Sequence, residues 1–452
     1  MAKKAWLRFL LPGVLILIVG VGLGVKYGME RAVAEDILAQ FPDRGVPRMN
    51  ISLNGVTLDE IKAGSKDTKY EGNDVTVYEG DSATLEAGGV RVKGRGNGTW
   101  IQEKKPYQIK FDKKVDLFGM GKAKKWVLLA NAMDTSNLRN DLTFELARML
   151  EMEYVFNGQF VELYFDGEYE GLYYLTHAVE IGKSAVDLKD PMGVLVELDN
   201  LYGWEERHYD TRTGEMLVVK DVVSNSNEEL AMEEFVKELN ELEVAIEKND
   251  YNRVVELADV DSFVQYFLLN EFTVNPDAYQ TSFYFYKDGL SDKIHAGPGW
   301  DFDLAFANRN WINWMGEPFY SPAQSMVRKG EILPREAYEE MAASSADWED
   351  WYNASLSMSR IMFELMEMPE FEKEVSRVYQ ERLSGRIQKL IMVLDNRVDE
   401  LGEAIRSDNE KWNKGDYREE IKRMAEWIKE RCEYFEKEYG NNTESQYITE
   451  KR

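Results

Sequence analysis

The sequence contains few cysteines and histidines, the residues on which disulfide-rich domains and zinc enzymes depend. It contains a single cysteine, Cys432, so no disulfide framework and no cysteine-based metal cluster can form within the chain. The three histidines, His177, His208 and His295, are scattered, and none has the HExxH spacing of a zinc site. Carboxylate ligands for a hard cation such as Mg²⁺ are, by contrast, abundant.

Basic residues are in deficit. The chain has 55 Lys and Arg against 82 Asp and Glu, which gives a formal net charge of −27. A field of this sign repels nucleic acid, so we predict no nucleic-acid partner. The apolar fraction of 44% and the aromatic fraction of 12% are typical of a chain with a large buried core.

One targeting signal lies at the N-terminus. The run from Phe9 to Val25 carries no charge and follows three basic residues. We predict a signal anchor over residues 1–30 and a stalk over residues 31–47, with the rest of the chain on the extracytoplasmic side, at the cell envelope or surface. The alternative is a cleavable signal peptide, because a small-residue cleavage motif ends at Ala34, but charged residues separate that motif from the apolar run.

The pattern of the remaining chain predicts one α+β domain over residues 48–440 and a C-terminal tail over residues 441–452. Alternating segments and glycine turns predict strands from Met49 to about Phe111. Two hairpins are predicted, one around Asp166-Gly167 and one near Asp288-Gly289. Helical periodicity predicts helices over 139–150, 228–248, 260–272 and 417–439, and a helical chain from Trp348 onward.

Several residues that could carry chemistry follow one another in a suggestive order. A glycine-rich turn, GRGNG (94–98), precedes Lys110 on a predicted strand and Glu145 on a predicted helix. Asp277 then stands before the second hairpin, and Asp301 and Asp303 follow it. Protein kinases use this logic, because lysine neutralises phosphate charge, one carboxylate positions the attacking hydroxyl, and another holds the magnesium that bridges phosphate oxygens.

Each of these residues also has a plainer interpretation. The glycine-rich segment could be an ordinary turn, and Glu145 could face solvent. Lys110 could be a solvated charge, with Lys104, Lys105 and Lys113 competing for the phosphate-binding role. Asp277 could be a turn residue whose side chain bonds to local backbone. Asp301 and Asp303 are harder to explain in this way, because buried carboxylates cost free energy unless they are paired or bind a metal.

Six stretches, in this order, resemble the CotH (spore-coat protein H) kinase family: KGRGNGTW (93–100), KKPYQIKFDKK (104–114), LFGMGKAKKWVLLANAMDTSNLRNDLTFELA (117–147), GLYYLTHAVEIG (171–182), NPDAYQTSFYFYKDG (275–289) and GPGWDFDLAF (297–306). The resemblance implies a diverged protein-kinase-like fold with a mostly β N-terminal part and a helical C-terminal part. It also implies transfer of the γ-phosphate of ATP, with Mg²⁺ or Mn²⁺, to serine hydroxyls of exported, cell-surface or spore-coat proteins.

The resemblance assigns roles to the candidate residues. Asp277 becomes the catalytic-loop carboxylate and Asp301 the metal ligand, while Asp303 is either a second ligand or the cap of the following turn. Lys110 becomes the phosphate-binding lysine and Glu145 its partner. Two polar residues of the glycine-rich turn join them as candidate nucleotide-binding residues: Arg95 and Asn97.

One position departs from the kinase pattern. Ordinary kinases have an asparagine five residues after the catalytic aspartate, and Ser282 stands there. Its hydroxyl could ligate magnesium, although more weakly than an amide oxygen. We predict an active kinase; the alternative is a surface binding or structural protein that keeps the fold without the chemistry. A carbohydrate-binding domain is a third, weaker alternative, because most of the aromatic residues have the spacing of a core.

Overall fold

A computed structural model of the chain describes residues 35–223, 227–275, 277–308 and 359–440. The predicted anchor, residues 1–30, and the predicted tail, residues 441–452, lie outside these ranges. Of the predicted stalk, residues 35–40 are helical. Across the described ranges, no helix has both the length and the apolar character needed to cross a membrane.

The first part of the described chain is a closed barrel of seven strands. The strands are β1 (Arg48–Ser52), β2 (Tyr70–Glu79), β3 (Ser82–Gly94), β4 (Tyr107–Asp116), β5 (Lys122–Leu129), β6 (Gly158–Phe165) and β7 (Glu168–His177), with a short helix α1 (Leu58–Ala63) after β1. Neighbouring strands are antiparallel except β1 and β6, whose parallel pairing closes the barrel. On β4 the alternation buries Tyr107, Ile109 and Phe111 inside and leaves Gln108 and Lys110 on the outer face.

The second part combines a five-stranded sheet with helices. The sheet has the order β12-β11-β8-β10-β9, formed by β8 (Val194–Leu198), β9 (His208–Asp210), β10 (Met216–Val222), β11 (Phe283–Lys287) and β12 (His295–Ala296). The helices are α2 (Arg139–Met149), α3 (Glu228–Glu247), α4 (Tyr251–Leu257), α5 (Val260–Thr273), α6 (Ile361–Met366), α7 (Pro369–Val378), α8 (Lys389–Trp412) and α9 (Tyr417–Tyr439). One hydrophobic core joins this sheet to the helices, and a separate core fills the barrel.

A buried polar contact ties the barrel to the helical part. Asp408 of α8 accepts a hydrogen bond from the backbone N–H of Leu172 on β7 at 2.9 Å and forms ion pairs with Lys104 at 2.6 Å and Lys414 at 3.0 Å. Burial lowers the pKa of Lys104 to about 7, while Asp408 acts in the opposite direction. Because breaking such a pair leaves an uncompensated buried charge, these residues fix α8 against the barrel.

The predicted α+β division, with a β-rich beginning and a helical end, is confirmed. The hairpin at Asp166-Gly167 is also confirmed, and both residues have the positive φ angles, 50° and 84°, of a primed turn. The expected kinase-like fold is met only in this coarse outline, because the first part is a closed seven-stranded barrel. Closure depends on the pairing of β1 with β6, which no local pattern in the sequence indicates.

Candidate active site

A cleft of about 1250 Å³ opens between the barrel and the second sheet. The barrel contributes the loop after β3 and the outer faces of β4 and β5, represented by Gln108 and Val127. The second part contributes the end of β8, the loop around Asp277 and the segment after β12 that carries Asp301. The cleft therefore joins regions that are far apart in the sequence.

The glycine-rich segment, residues 94–98, forms one wall of this cleft. Gly96 has a φ of 76°, and a Cβ atom there would approach the Oγ1 atom of Thr99 to 2.0 Å, so the tight turn requires glycine. The backbone N–H of Arg95 donates to the carbonyl of Pro106 at 3.3 Å, and the side chain of Asn97 accepts a hydrogen bond from Lys66. Both predicted residues of this turn, Arg95 and Asn97, thus line the cleft.

Arg95 extends from this wall towards the carboxylates on the opposite side. Its guanidinium lies 5.5 Å from the ring centroid of Trp300, the residue before Asp301. Burial lowers the pKa of Arg95, whereas the negative charge of Asp301, followed by Tyr284 and Glu197, raises it. Arg95, a residue of the barrel part, therefore places its positive charge beside the carboxylate of Asp301.

Asp301 and Asp303 follow β12 in the segment GWDFD. The Ser282 hydroxyl donates to Oδ2 of Asp301 at 3.4 Å, which brings two of the predicted metal ligands together. Burial raises the pKa of Asp301, and the Arg95 charge and the Ser282 hydrogen bond act against that rise. Burial also raises the pKa of Asp303, with further contributions from the charges of Asp301 and Asp277.

Asp277 lies in the loop between α5 and β11. Its backbone forms the turn, since its carbonyl accepts from the N–H groups of Gln280 and Thr281, both at 3.3 Å. Its side chain lines the cleft. Burial, followed by the charges of Asp301 and Asp199, raises the pKa of Asp277 to about 7. A carboxylate with this proton affinity is suited to accept a proton at neutral pH.

Two predicted residues lie elsewhere. Lys110 is on the outer face of β4, opposite Arg91 and Lys125, but it does not line the cleft. Glu145 bonds to Arg148 one turn along α2, at 2.8 Å. The expected Lys110–Glu145 pair is therefore not formed. Four basic side chains from the barrel part line the cleft: Lys66, Lys93, Arg95 and Lys125.

Two buried acidic residues of the cleft, Glu197 and Asp199, were not among the candidates predicted from the sequence. Glu197 forms an ion pair with Lys220 at 2.5 Å and accepts the backbone N–H of Ser282 at 3.1 Å. Asp199 is only 4% exposed, and its Oδ1 atom accepts the N–H groups of Leu201 and Tyr202 at 3.2 and 2.9 Å. The sequence does hold one signal for these two residues. They are acids at alternate positions where a buried strand ends, and buried acids need charged or hydrogen-bonding partners.

The donor atoms fit a divalent cation held together with phosphate. Among the described residues, no three acidic, histidine or cysteine side chains form a complete metal site by themselves. Mg²⁺ does not require one, because it keeps several waters and is held by one or two carboxylates plus substrate phosphates. Asp303, which is buried, and Asp301, which is half-buried, supply such a partial site, and desolvation raises the pKa of both carboxyl groups.

A glycine-rich wall, basic side chains and converging carboxylates are the parts from which kinase active sites are assembled. The family model of the CotH kinase protein matches residues 90–435. The chain belongs to this family, which places it among kinase-like proteins. A search of curated proteins finds no match to the chain.

Proposed function

We propose that the cleft binds ATP with Mg²⁺ or Mn²⁺ and transfers the γ-phosphate to a serine hydroxyl of an exported protein. The observation that carries this proposal is the convergence of Arg95, Asp277, Ser282 and Asp301 in one cleft, from three separate segments of a CotH-family chain. The chemistry of phosphoryl transfer consists mainly of positioning and charge stabilisation, and these residue types provide both.

The basic wall would hold the phosphates. Arg95 presents a planar set of donors suited to phosphate oxygens, and Lys93 and Lys125 lie on β3 and β5, the two strands that flank β4. Apolar side chains of the same cleft, Val127 and Val179, offer a surface for the base. In this assignment Arg95 takes the role first given to Lys110.

The carboxylates on the opposite side of the cleft would bind the cation and activate the acceptor hydroxyl. Asp301, with the Ser282 hydroxyl bonded to it, and Asp303 would hold the cation, which when bound neutralises charge on the phosphate oxygens. Asp277 would orient the acceptor hydroxyl and accept its proton, since its pKa of about 7 matches neutral conditions. Glu197 is paired with Lys220, and Asp199 accepts two backbone N–H groups, so Asp277 is the carboxylate assigned to the acceptor.

The location is proposed from the uncharged run at Phe9 to Val25, which would anchor the domain outside the cytoplasm. Protease added to intact cells is then expected to digest the domain and to leave a cytoplasmic marker protein intact. Complete protection of the domain, under conditions that digest a known surface protein, would contradict this location.

The nucleotide site is tested by exchanging one basic residue inside the cleft and one outside it. Arg95→Gln is expected to weaken binding of Mg²⁺ and ATP to the full chain by roughly 10- to 100-fold, because one charge-assisted hydrogen bond is worth about 1.5–3 kcal/mol. Lys110→Gln removes the same charge from the same barrel and is expected to bind as the unmodified chain does. Titration calorimetry with a non-hydrolysable ATP analogue measures both.

Transfer is followed separately, with labelled ATP and a serine-containing acceptor such as casein. The proposal fails if the unmodified chain neither binds Mg²⁺ and ATP nor labels any acceptor. Binding without transfer would instead favour the alternative of a kinase-like binding protein, for which Ser282 is the structural reason. Equal losses of ATP affinity in Arg95→Gln and Lys110→Gln would show that Arg95 does not bind the phosphates.

A further inference from the structure

The segment that carries the candidate metal ligands, residues 301–308, is held in place by a second segment to which the sequence pattern assigns no role. That second segment, residues 131–140, precedes and begins helix α2. The side chain of Asn308 donates to the carbonyls of Met133 and Asp303, both at 2.9 Å. The two segments are therefore joined through several hydrogen bonds rather than by packing alone.

The backbone of the ligand segment needs such external support. Asp301, Phe306 and Ala307 have positive φ angles of 65°, 49° and 55°. Residues other than glycine adopt this region at a cost in free energy, so the conformation persists only where surrounding contacts fix it.

Arg139 supplies part of that support, at the far end of the segment. Its Nε atom donates to the carbonyl of Ala305 at 2.6 Å, and Nη2 donates to the carbonyl of Phe306 at 3.4 Å. Ion pairs with Asp134 and Glu420 hold the buried guanidinium in place. Arg139 thus fixes the turn that follows the two aspartates.

Asn140 acts between the two aspartates themselves. Its Oδ1 atom accepts the backbone N–H of Phe302 at 2.9 Å, and its Nδ2 atom donates to Oδ1 of Asn131 at 3.2 Å. Phe302 is fully buried and Asn140 is 3% exposed, so no water competes for this bond. The amide that Asn140 holds belongs to the peptide unit joining Asp301 to Phe302.

We infer that Asn140 is a positioning residue for cation binding, which sets the directions of the Asp301 and Asp303 side chains by fixing the backbone between them. The inference rests on the proposed function of this site. Partners that orient metal ligands typically change metal affinity 10- to 100-fold when they are removed. Loss of the Asn140 acceptor leaves the Phe302 N–H buried without a partner, which favours rotation of this peptide unit.

The test measures binding of Mn²⁺ to the full chain by electron paramagnetic resonance, with a non-hydrolysable ATP analogue present. Asn140→Ala is expected to weaken Mn²⁺ binding at least about tenfold. Asn140→Asp keeps an oxygen acceptor for the Phe302 N–H but loses the donor to Asn131, so it is expected to recover part of the affinity. The matched control is Thr143→Val on the same helix, which loses one buried hydrogen bond, to the Arg139 carbonyl at 2.9 Å; in the described part of the chain Thr143 forms no hydrogen bond with residues 301–308.

Unfolding temperatures separate positioning from general stability. Thr143→Val is expected to lower the unfolding temperature while leaving Mn²⁺ affinity unchanged. If Asn140→Ala does not fold, Asn140→Ser is titrated instead, since its shorter polar side chain cannot span the distance to Phe302 as asparagine does. The inference is overturned if the folded Ala or Ser variant binds Mn²⁺ as the unmodified chain does, or if Asn140→Asp binds as weakly as Asn140→Ala. Failure of the unmodified chain to bind Mn²⁺ at all would overturn the proposed function as well.

Discussion

Replacing Asp301 with asparagine is expected to lower the rate of phosphoryl transfer by roughly a thousandfold. A bound cation contributes several kcal/mol of charge stabilisation, and about 1.4 kcal/mol corresponds to a factor of ten in rate. Asparagine preserves the size of the side chain and can still accept a hydrogen bond from Ser282, so the variant removes mainly the charge. Initial rates with labelled ATP at a fixed Mg²⁺ concentration measure the effect.

The loss should be accompanied by a change in metal dependence. Asp301→Asn is expected to need a higher Mn²⁺ concentration for half-maximal transfer, because its remaining oxygen binds the cation without a negative charge. Asp81→Asn serves as the control, since it removes one carboxylate from an exposed turn of the barrel. Residual activity above one tenth of that of the unmodified chain, with unchanged metal dependence, would remove Asp301 from the metal site.

Features that depend on neighbouring residues were predictable from the sequence. The hairpin at Asp166-Gly167 follows from the ability of both residues to adopt positive φ angles. Helix α9 begins at Tyr417 and ends at Tyr439, as its periodicity predicts, and Asp416 caps its N-terminus with a side-chain hydrogen bond. Such signals act within one or two turns of chain, so they survive without knowledge of the tertiary structure.

Two features could not be predicted from local sequence: the closure of the barrel, and which lysine of the barrel reaches the cleft. Both depend on pairing between strands that are distant in the sequence. The alternation on β4 placed Lys110 and Gln108 on the same outer face, but only the register of the sheet shows which of the two reaches the cleft. Lys125, directly opposite Lys110 on β5, does line it. A one-sequence pattern gives the face of a strand and not its cross-strand neighbours.

The candidate site residues differ in how strongly the sequence alone indicates them. Asp301 is flagged by its own sequence, because an acid between Trp300 and Phe302 is predicted to be buried. Asp199 has a weaker signal, its position directly after a buried strand, and Asn140 gains its importance only from what the fold brings next to it. Asn140 in particular resembles an ordinary helix residue until its contact with Phe302 is seen.

Asp277→Asn is expected to lower transfer about 10²- to 10⁴-fold, the usual contribution of a positioned acid or base. Binding of Mg²⁺ and ATP should change little, because Asp277 is assigned to the acceptor hydroxyl and not to the phosphates. Transfer assays and titration calorimetry on the same preparation separate these two effects. A variant that loses nucleotide affinity in proportion to its rate would instead place Asp277 among the nucleotide ligands.

The dependence of the rate on pH tests the role of Asp277 more directly. A base must be unprotonated to accept a proton, so kcat/KM should rise with pH and level off above the pKa of about 7. The charge of Asp199 helps to raise that pKa, and Asp199→Asn should therefore move the midpoint of the profile to lower pH. In Asp277→Asn the residual rate should lose this rise altogether. If the profile keeps the same midpoint in both variants, another group is the base, and the proton acceptor must be sought among the remaining acids of the cleft.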